Sequence, residues 1–368
     1  MKPSEQIKNQ IELSGINNYG INSDMLFDYL HDQIYSLSKK LEKINTAKNW
    51  RTKRDVSLKG LEYCLGLKNL PERTSTKART VGKIKKDSYL IEKIIFESFE
   101  NIFVPAHLYI PQKERSPAPA ILHVPGHWME NSKMEPDIQK CCIGLTELGF
   151  VVLVIDPFEQ GERRIDWKTH GHLQTLLVGI TQMGMMVYEN LKAIDYLQSR
   201  DEIDNERIGM MGASGGGGNT IYTTPFDQRI KAAIPVCAAV TYPGLIEGHK
   251  GYNWDGAVDL CNQVPRVINT LSFSNLLALN APRPTMIISA EEDINFPLLT
   301  ANEVFQKTKP FFDIYGPDLF KQTIVTGGHG LSQEARESVY GFFYKHLMNK
   351  GNGSPIPEKE IEIEEPPY

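Results

Sequence analysis

Residues 207–218 read Arg207-Ile208-Gly209-Met210-Met211-Gly212-Ala213-Ser214-Gly215-Gly216-Gly217-Gly218, an apolar run that closes on a serine held between glycines. The run has the character of a buried strand, and the glycines after it open a helix. A serine hydroxyl is a poor nucleophile unless a tight turn exposes it to a base and to oxyanion donors. The G-x-S-x-G spacing of Gly212, Ser214 and Gly216 suits such a turn, because side chains at the flanking positions would collide in it. The stretch therefore predicts a strand–nucleophile–helix elbow, and with it a mostly parallel sheet wound by helices.

An elbow of this kind needs an acid and then a histidine further along the chain. Pro284-Thr285-Met286-Ile287-Ile288-Ser289-Ala290 is an apolar strand that breaks into Glu291-Glu292-Asp293 and reaches Pro297. Asp293 is the candidate acid, with Glu292 in reserve. Phe320 to Val325 forms one more short strand, and Thr326-Gly327-Gly328-His329-Gly330 follows it as a glycine-rich loop. Of the nine histidines, only His329 lies in a loop after a strand and downstream of both Ser214 and Asp293. His329 is thus the candidate base, taking the Ser214 proton while Asp293 fixes the imidazole tautomer.

Acyl transfer also requires donors aimed at a developing oxyanion. The backbone N–H of Gly215, directly after the nucleophile, is the first candidate. The second comes from the loop after the strand Ala118–Val124, where Pro125-Gly126-His127-Trp128 offers the N–H of His127, with Trp128 in reserve. The His127 imidazole either lines the pocket or caps its loop, and His123 reads as a core histidine within the strand.

Four segments together resemble the α/β-hydrolase superfamily, and more narrowly its acetyl xylan esterase-like and dienelactone hydrolase-related branch. They are Pro125-Gly126-His127, the stretch Asp156-Pro157-Phe158-Glu159-Gln160-Gly161-Glu162-Arg163, the elbow at Ser214, and Gly328-His329-Gly330; Ala281-Pro282-Arg283-Pro284 is a weaker fifth. The resemblance spans roughly residues 80 to 348. It implies a Ser214–His329–Asp293 triad, an oxyanion hole at Gly215 and His127, no metal and no organic cofactor, and short-chain ester substrates such as acetylated sugars. Dienelactone hydrolases proper carry cysteine where this chain has Ser214, which argues against that chemistry. A prolyl oligopeptidase-like peptidase, an acyltransferase or a lyase could use the same triad. A catalytically silent binding protein is the alternative from another class.

Composition agrees with a soluble enzyme. The 368 residues are 41% hydrophobic and 23% charged, enough to bury a large core. A formal charge of −5 gives no footprint for nucleic acid or an anionic membrane. Five cysteines are too few and too irregular for a disulfide framework. No leader-like apolar segment or membrane span is read, so the expected location is cytoplasmic. His170-Gly171-His172 lacks a third ligand at a metal-site spacing, and no metal is expected there.

Residues 1–75 read as a helical extension packing on the core or serving as a dimerisation arm, and 76–350 as the catalytic domain. The stretches around Ile91–Ser98 and Phe103–Ile110 suggest antiparallel strands at the start of the sheet. Met183, Met185, Met186 and Val187 read as a core stripe on a long helix ending near Ser199. Glu159, Glu162, Arg163 and Arg164 suggest a salt-bridged loop. An insertion near 238–280 is expected to roof the site, with Trp128, Tyr242, Tyr252 and Trp254 as candidate pocket walls for a small-molecule ester. Residues 351–368 read as an acidic tail, mobile or laid on a neighbouring copy, so that a homo-oligomer could form through the extension or the tail.

Overall fold

A computed structural model describes residues 25–112, 117–164, 171–245 and 261–365. Within them nine strands form one sheet: β1 (Arg79–Lys85), β2 (Tyr89–Phe99), β3 (Ile102–Pro111), β4 (Ala118–Val124), β5 (Val151–Ile155), β6 (Ile203–Ala213), β7 (Ile230–Val236), β8 (Thr285–Ala290) and β9 (Phe320–Val325). Their order across the sheet is β1-β2-β3-β5-β4-β6-β7-β8-β9. The first three strands run as antiparallel hairpins, and β3 meets β5 antiparallel. From β5 onward every neighbour is parallel. Parallel strands need helices on both faces, and every residue of β4 and of β5 is accordingly buried.

The helices are α1 (Met25–Ile44), α2 (Trp50–Leu65), α3 (Pro136–Glu147), α4 (Gln182–Gln198), α5 (Gly215–Thr223), α6 (Phe273–Ala278), α7 (Leu298–Asp313) and α8 (Gln333–Met348). One face of the sheet is covered by α3 and α8, whose Ile138, Cys142, Val339 and Phe343 share a core with β4, β5 and β7. The other face carries α4, α5 and α7. There Met183, Met186 and Val187 join a core that includes Ile221, Val304 and Phe312. The Thr181 side chain caps α4 by accepting from the Gly184 N–H at 2.9 Å, which fixes where that helix begins.

The N-terminal helices are tied to this second face. Trp50 is fully buried, packs edge-on against Phe311 at 5.0 Å, and donates its indole N–H to the Ala278 carbonyl at 3.2 Å. Arg54 reaches the Leu279 carbonyl at 2.8 Å. None of the described helices is long and apolar enough to cross a membrane.

The tail departs from the expectation of a mobile or exchanged arm. Ile356 N–H donates to the Glu337 carbonyl at 3.0 Å, and Glu358 forms a two-pronged pair with Arg336 at 2.7 and 2.6 Å. Gln139 of α3 exchanges two hydrogen bonds with the Glu364 backbone, at 2.9 and 3.0 Å. The physical reason is the alternation Ile361-Glu362-Ile363-Glu364, which packs Ile361 and Ile363 against the α3–α8 core. Acid-rich composition masks that period of two.

Candidate active site

Register places the functional loops on one edge. Val124 of β4 lies opposite Gly212 of β6, Ala213 opposite Val236 of β7, Val236 opposite Ile288 of β8, and Ala290 opposite Val325 of β9. All five strands are parallel, so the residues that follow these positions emerge together at the carboxyl edge, where such sheets bind ligands.

Ser214 follows β6 with φ 59° and ψ −124°, a conformation that side chains rarely adopt, and α5 begins at the next residue. Its own N–H is held by the Val236 carbonyl at 2.9 Å. The turn is so tight that a methyl group built on Gly216 would lie 1.9 Å from the Val124 carbonyl oxygen. One on Gly126 would lie 2.8 Å from Ser214 Cβ. The glycines are therefore a steric requirement of seating Ser214 against β4. Ser214 stands at the N-terminus of α5, where the first N–H groups have no intrahelical acceptor and the helix field favours negative charge.

The loop after β4 comes over this turn. The His127 imidazole rests on Gly215, where a built Cβ would be 2.5 Å from Cε1, and its Nε2 lies 3.3 Å from Cys261 Sγ. The Trp128 N–H donates to the Gly126 carbonyl at 3.0 Å, while its ring is partly buried beside Gly126. The reserve oxyanion donor is thus already engaged in its own turn.

Asp293 and His329 come together, although 36 residues separate them. Asp293 is buried. Its Oδ1 accepts the N–H groups of Asn295 and Phe296, each at 2.9 Å, and its Oδ2 lies 2.9 Å from His329 Nδ1. The acid is consequently clamped by its own turn and presents one oxygen to the imidazole. Glu291 and Glu292 are exposed. With Nδ1 turned to a carboxylate, Nε2 is the nitrogen left for proton exchange. The ring of Phe296 stacks on His329 at 5.6 Å with an interplanar angle of 16°. Phe296 was missed in the sequence, where it reads as an ordinary apolar residue before a proline.

Beneath the loop after β5 lies a charged network. Lys133 Nζ, itself buried, sits 2.5 Å from both Asp156 Oδ2 and Glu162 Oε1. Arg163 forks onto Glu189 at 2.7 and 2.8 Å, lies 4.4 Å over the Phe158 ring, and Glu189 also accepts from Ser98 at 2.8 Å. Arg164 pairs with Glu130 at 3.2 Å, and Glu159 pairs with His172 and the Gly171 N–H. These groups form the expected salt-bridged loop. They brace the end of β5.

The aromatic wall is less well drawn by the sequence. Tyr242 is a core residue, buried edge-on against Phe273 at 5.5 Å, which corrects its expected place in a pocket wall. An apolar insertion that shares the core buries its aromatics as readily as it displays them. Tyr252, Trp254 and His170 lie outside the described residues. Cys237, directly after β7, brings its Sγ within 3.5 Å of the Gly330 carbonyl and beside the Asp293–His329 pair. Burial pushes its thiol up to about 12.

Residues 80–246 match the model of the acetyl xylan esterase (AXE1) family. YtaP of Bacillus subtilis (strain 168), a hydrolase by name only, is 28% identical over 291 residues, covering 76% of this chain and 96% of that protein. The structure of methylesterase BT1017 superposes with a TM-score of 0.67 at 20% identity, covering 88% of this chain and 71% of the other. An acetyl xylan esterase from Paenibacillus sp. R4 gives 0.54 at 18% identity over 89% and 95%. With this fold and this match, the chain is a carboxylic ester hydrolase of the α/β-hydrolase fold that resembles the acetyl xylan esterases.

Proposed function

We propose that the chain removes short acyl groups, above all acetyl, from esters of carbohydrates, through a Ser214–His329–Asp293 triad. The observation that carries this reading is the 2.9 Å Asp293–His329 pair at the sheet edge that also presents the strained Ser214. Ser214 Oγ attacks the ester carbonyl as His329 Nε2 accepts its proton. Asp293 holds the imidazole in the required tautomer and stabilises the imidazolium. The N–H groups of Gly215 and His127 receive the oxyanion, the second preferred to Trp128 because the Trp128 N–H is engaged with Gly126. His329 then protonates the departing alcohol, and water, activated by the same histidine, releases the acid. Trp128, beside the nucleophile turn, is the wall residue this reading retains. The carbohydrate acetyl specificity is supported by the family match and by the acetyl xylan esterase among the similar structures.

The same reading takes residues 1–75 as an extension of the catalytic unit 76–350. It keeps self-association through α1, whose Met25, Leu26, Tyr29 and Leu30 are exposed. A cytoplasmic location is supported by five cysteines, all buried and none in a disulfide.

The test is hydrolysis of p-nitrophenyl esters from acetate to octanoate, followed by acetate release from acetylated xylo-oligosaccharides, with Ser214→Ala and His329→Ala as comparators. The expected result is turnover confined to the short esters and to the acetylated sugars, and lost in both variants. Equal rates in wild type and variants would overturn the triad. Preference for the long esters would overturn the acetyl assignment.

A further inference from the structure

The sulfur of Cys237, an oxygen of Asp293 and a ring nitrogen of His329 all lie within 4.8 Å of one another. Among the described residues no other trio of histidine, cysteine or acidic side chains converges this closely. The three come from three different strand ends. Cys237 follows β7 with φ 47°, Asp293 follows β8 and His329 follows β9. A thiolate, an imidazole and a carboxylate are the donor types that zinc takes in its tetrahedral sites.

The spacing is close to what such a site needs. Zinc–ligand bonds of about 2.0–2.3 Å put neighbouring ligand atoms about 3.3–3.8 Å apart in a tetrahedron. The His329–Asp293 contact of 2.9 Å would open by about half an ångström, and the sulfur, within 4.8 Å, would draw in. Cys237 and Asp293 are buried, whereas the His329 side chain keeps 22% of its surface exposed, so a cation can enter from the histidine side and keep water as its fourth ligand.

We propose that Cys237, Asp293 and His329 form a latent site for a thiophilic divalent cation, Zn2+ or Cd2+, and that occupancy switches the active site off. Binding releases the thiol proton to solvent, moves the imidazole proton from Nδ1 to Nε2, and forms bonds to Sγ, Nδ1 and a carboxylate oxygen. The acid can then no longer orient the imidazole toward Ser214. The site is inhibitory and supplies nothing to catalysis. The switching half of this inference rests on the proposed triad; the binding half does not.

The first experiment titrates the full-length, metal-free protein with Cd2+ and reads the near-ultraviolet thiolate-to-cadmium charge-transfer band. One equivalent is expected to saturate the band in wild type. Cys237→Ser and Cys237→Ala should abolish it, and His329→Gln, at a partly exposed loop position, should weaken binding about tenfold or more. Cys142→Ser and Cys261→Ser should retain it; their thiols lie by other histidines, 3.5 Å from His123 and 3.3 Å from His127. A band that survives in both Cys237 variants, a band lost in the Cys142 or Cys261 variant instead, or no band in wild type overturns the site. A second arm adds Zn2+ to the ester assay, with each variant scaled to its own zinc-free rate. Reversible inhibition, restored by EDTA and needing about tenfold or more zinc in Cys237→Ser, supports the switch. Equal sensitivity overturns it. Should no ester be turned over, the proposed function fails and the cadmium titration still decides the binding.

Discussion

Asp293 divides its two oxygens between its own turn and His329, and this division predicts what an isosteric change would do. Asp293→Asn keeps an oxygen for the Asn295 and Phe296 N–H groups but turns an amide N–H toward Nδ1, favouring the wrong tautomer. The variant should fold with a near wild-type melting temperature and lose about ten-thousand-fold in kcat, read from steady-state ester hydrolysis. The glycines predict a contrast. Gly126→Ala drives a methyl group to 2.4 Å from the Ala213 carbonyl and 2.8 Å from Ser214 Cβ, whereas Gly328 has nothing within 4 Å and ordinary backbone angles. Gly126→Ala should lose most activity, and Gly328→Ala should leave kcat/KM and the melting temperature nearly unchanged. The strained turn at Ser214 and the pairing of Asp293 with His329 are legible in the sequence because order along the chain and strand-then-loop context constrain each one. Phe296, Cys237 and Cys261 are not, because each acts through a partner far away in sequence, and a buried cysteine looks the same wherever its thiol points.

Apolar runs make the central strands readable as elements, because a strand covered on both faces has no polar alternation to blur it. What such runs do not disclose is how a strand end is braced. Lys133 meets Asp156 across 23 residues, and neither residue marks the other in the sequence. Replacing the lysine leaves a fully buried carboxylate without its cation, held by the backbone N–H groups of residue 133 and Glu162. Lys133→Met should therefore cost about 3–5 kcal/mol in urea unfolding. The N-terminal helices give a matching expectation at the other side of the molecule. Trp50 is wholly buried and edge-packed on Phe311, so Trp50→Ala should cost about 3–5 kcal/mol in the same measurement. A result near zero would mean that α2 is only loosely laid on α7. The insertion after β7 is the element read least well. Its aromatic residues suggested a roof, yet Tyr242 lies in the core, because composition does not say which side of an insertion faces the site.

At the scale of the molecule, the C-terminal segment closes the face that α3 and α8 cover. Burial raises the Glu358 carboxyl, but hydrogen bonds from Arg336 and Tyr340 outweigh it and hold the group below its ordinary value. A carboxyl depressed in the folded state stabilises above its unfolded pKa, and that stabilisation is lost as pH falls through the folded value. Glu358→Gln should thus lower the melting temperature by a few degrees at pH 7, with the difference from wild type shrinking as the pH is taken below the ordinary glutamate range. A constant difference would mean that packing, and not charge, holds the tail. The overall α/β architecture follows from the elbow and the alternation of strands and helices, whereas the return of the tail depends on a short Ile–Glu alternation hidden within acid-rich composition. All these scales converge on one chemical claim, that Ser214 is activated by His329. The most direct measurement is the intact mass, with peptide mapping, of the protein after exposure to a fluorophosphonate. Stoichiometric labelling on Ser214, absent in Ser214→Ala and greatly slowed in His329→Ala, is the predicted result. Labelling elsewhere, or at an unchanged rate without the histidine, would contradict it.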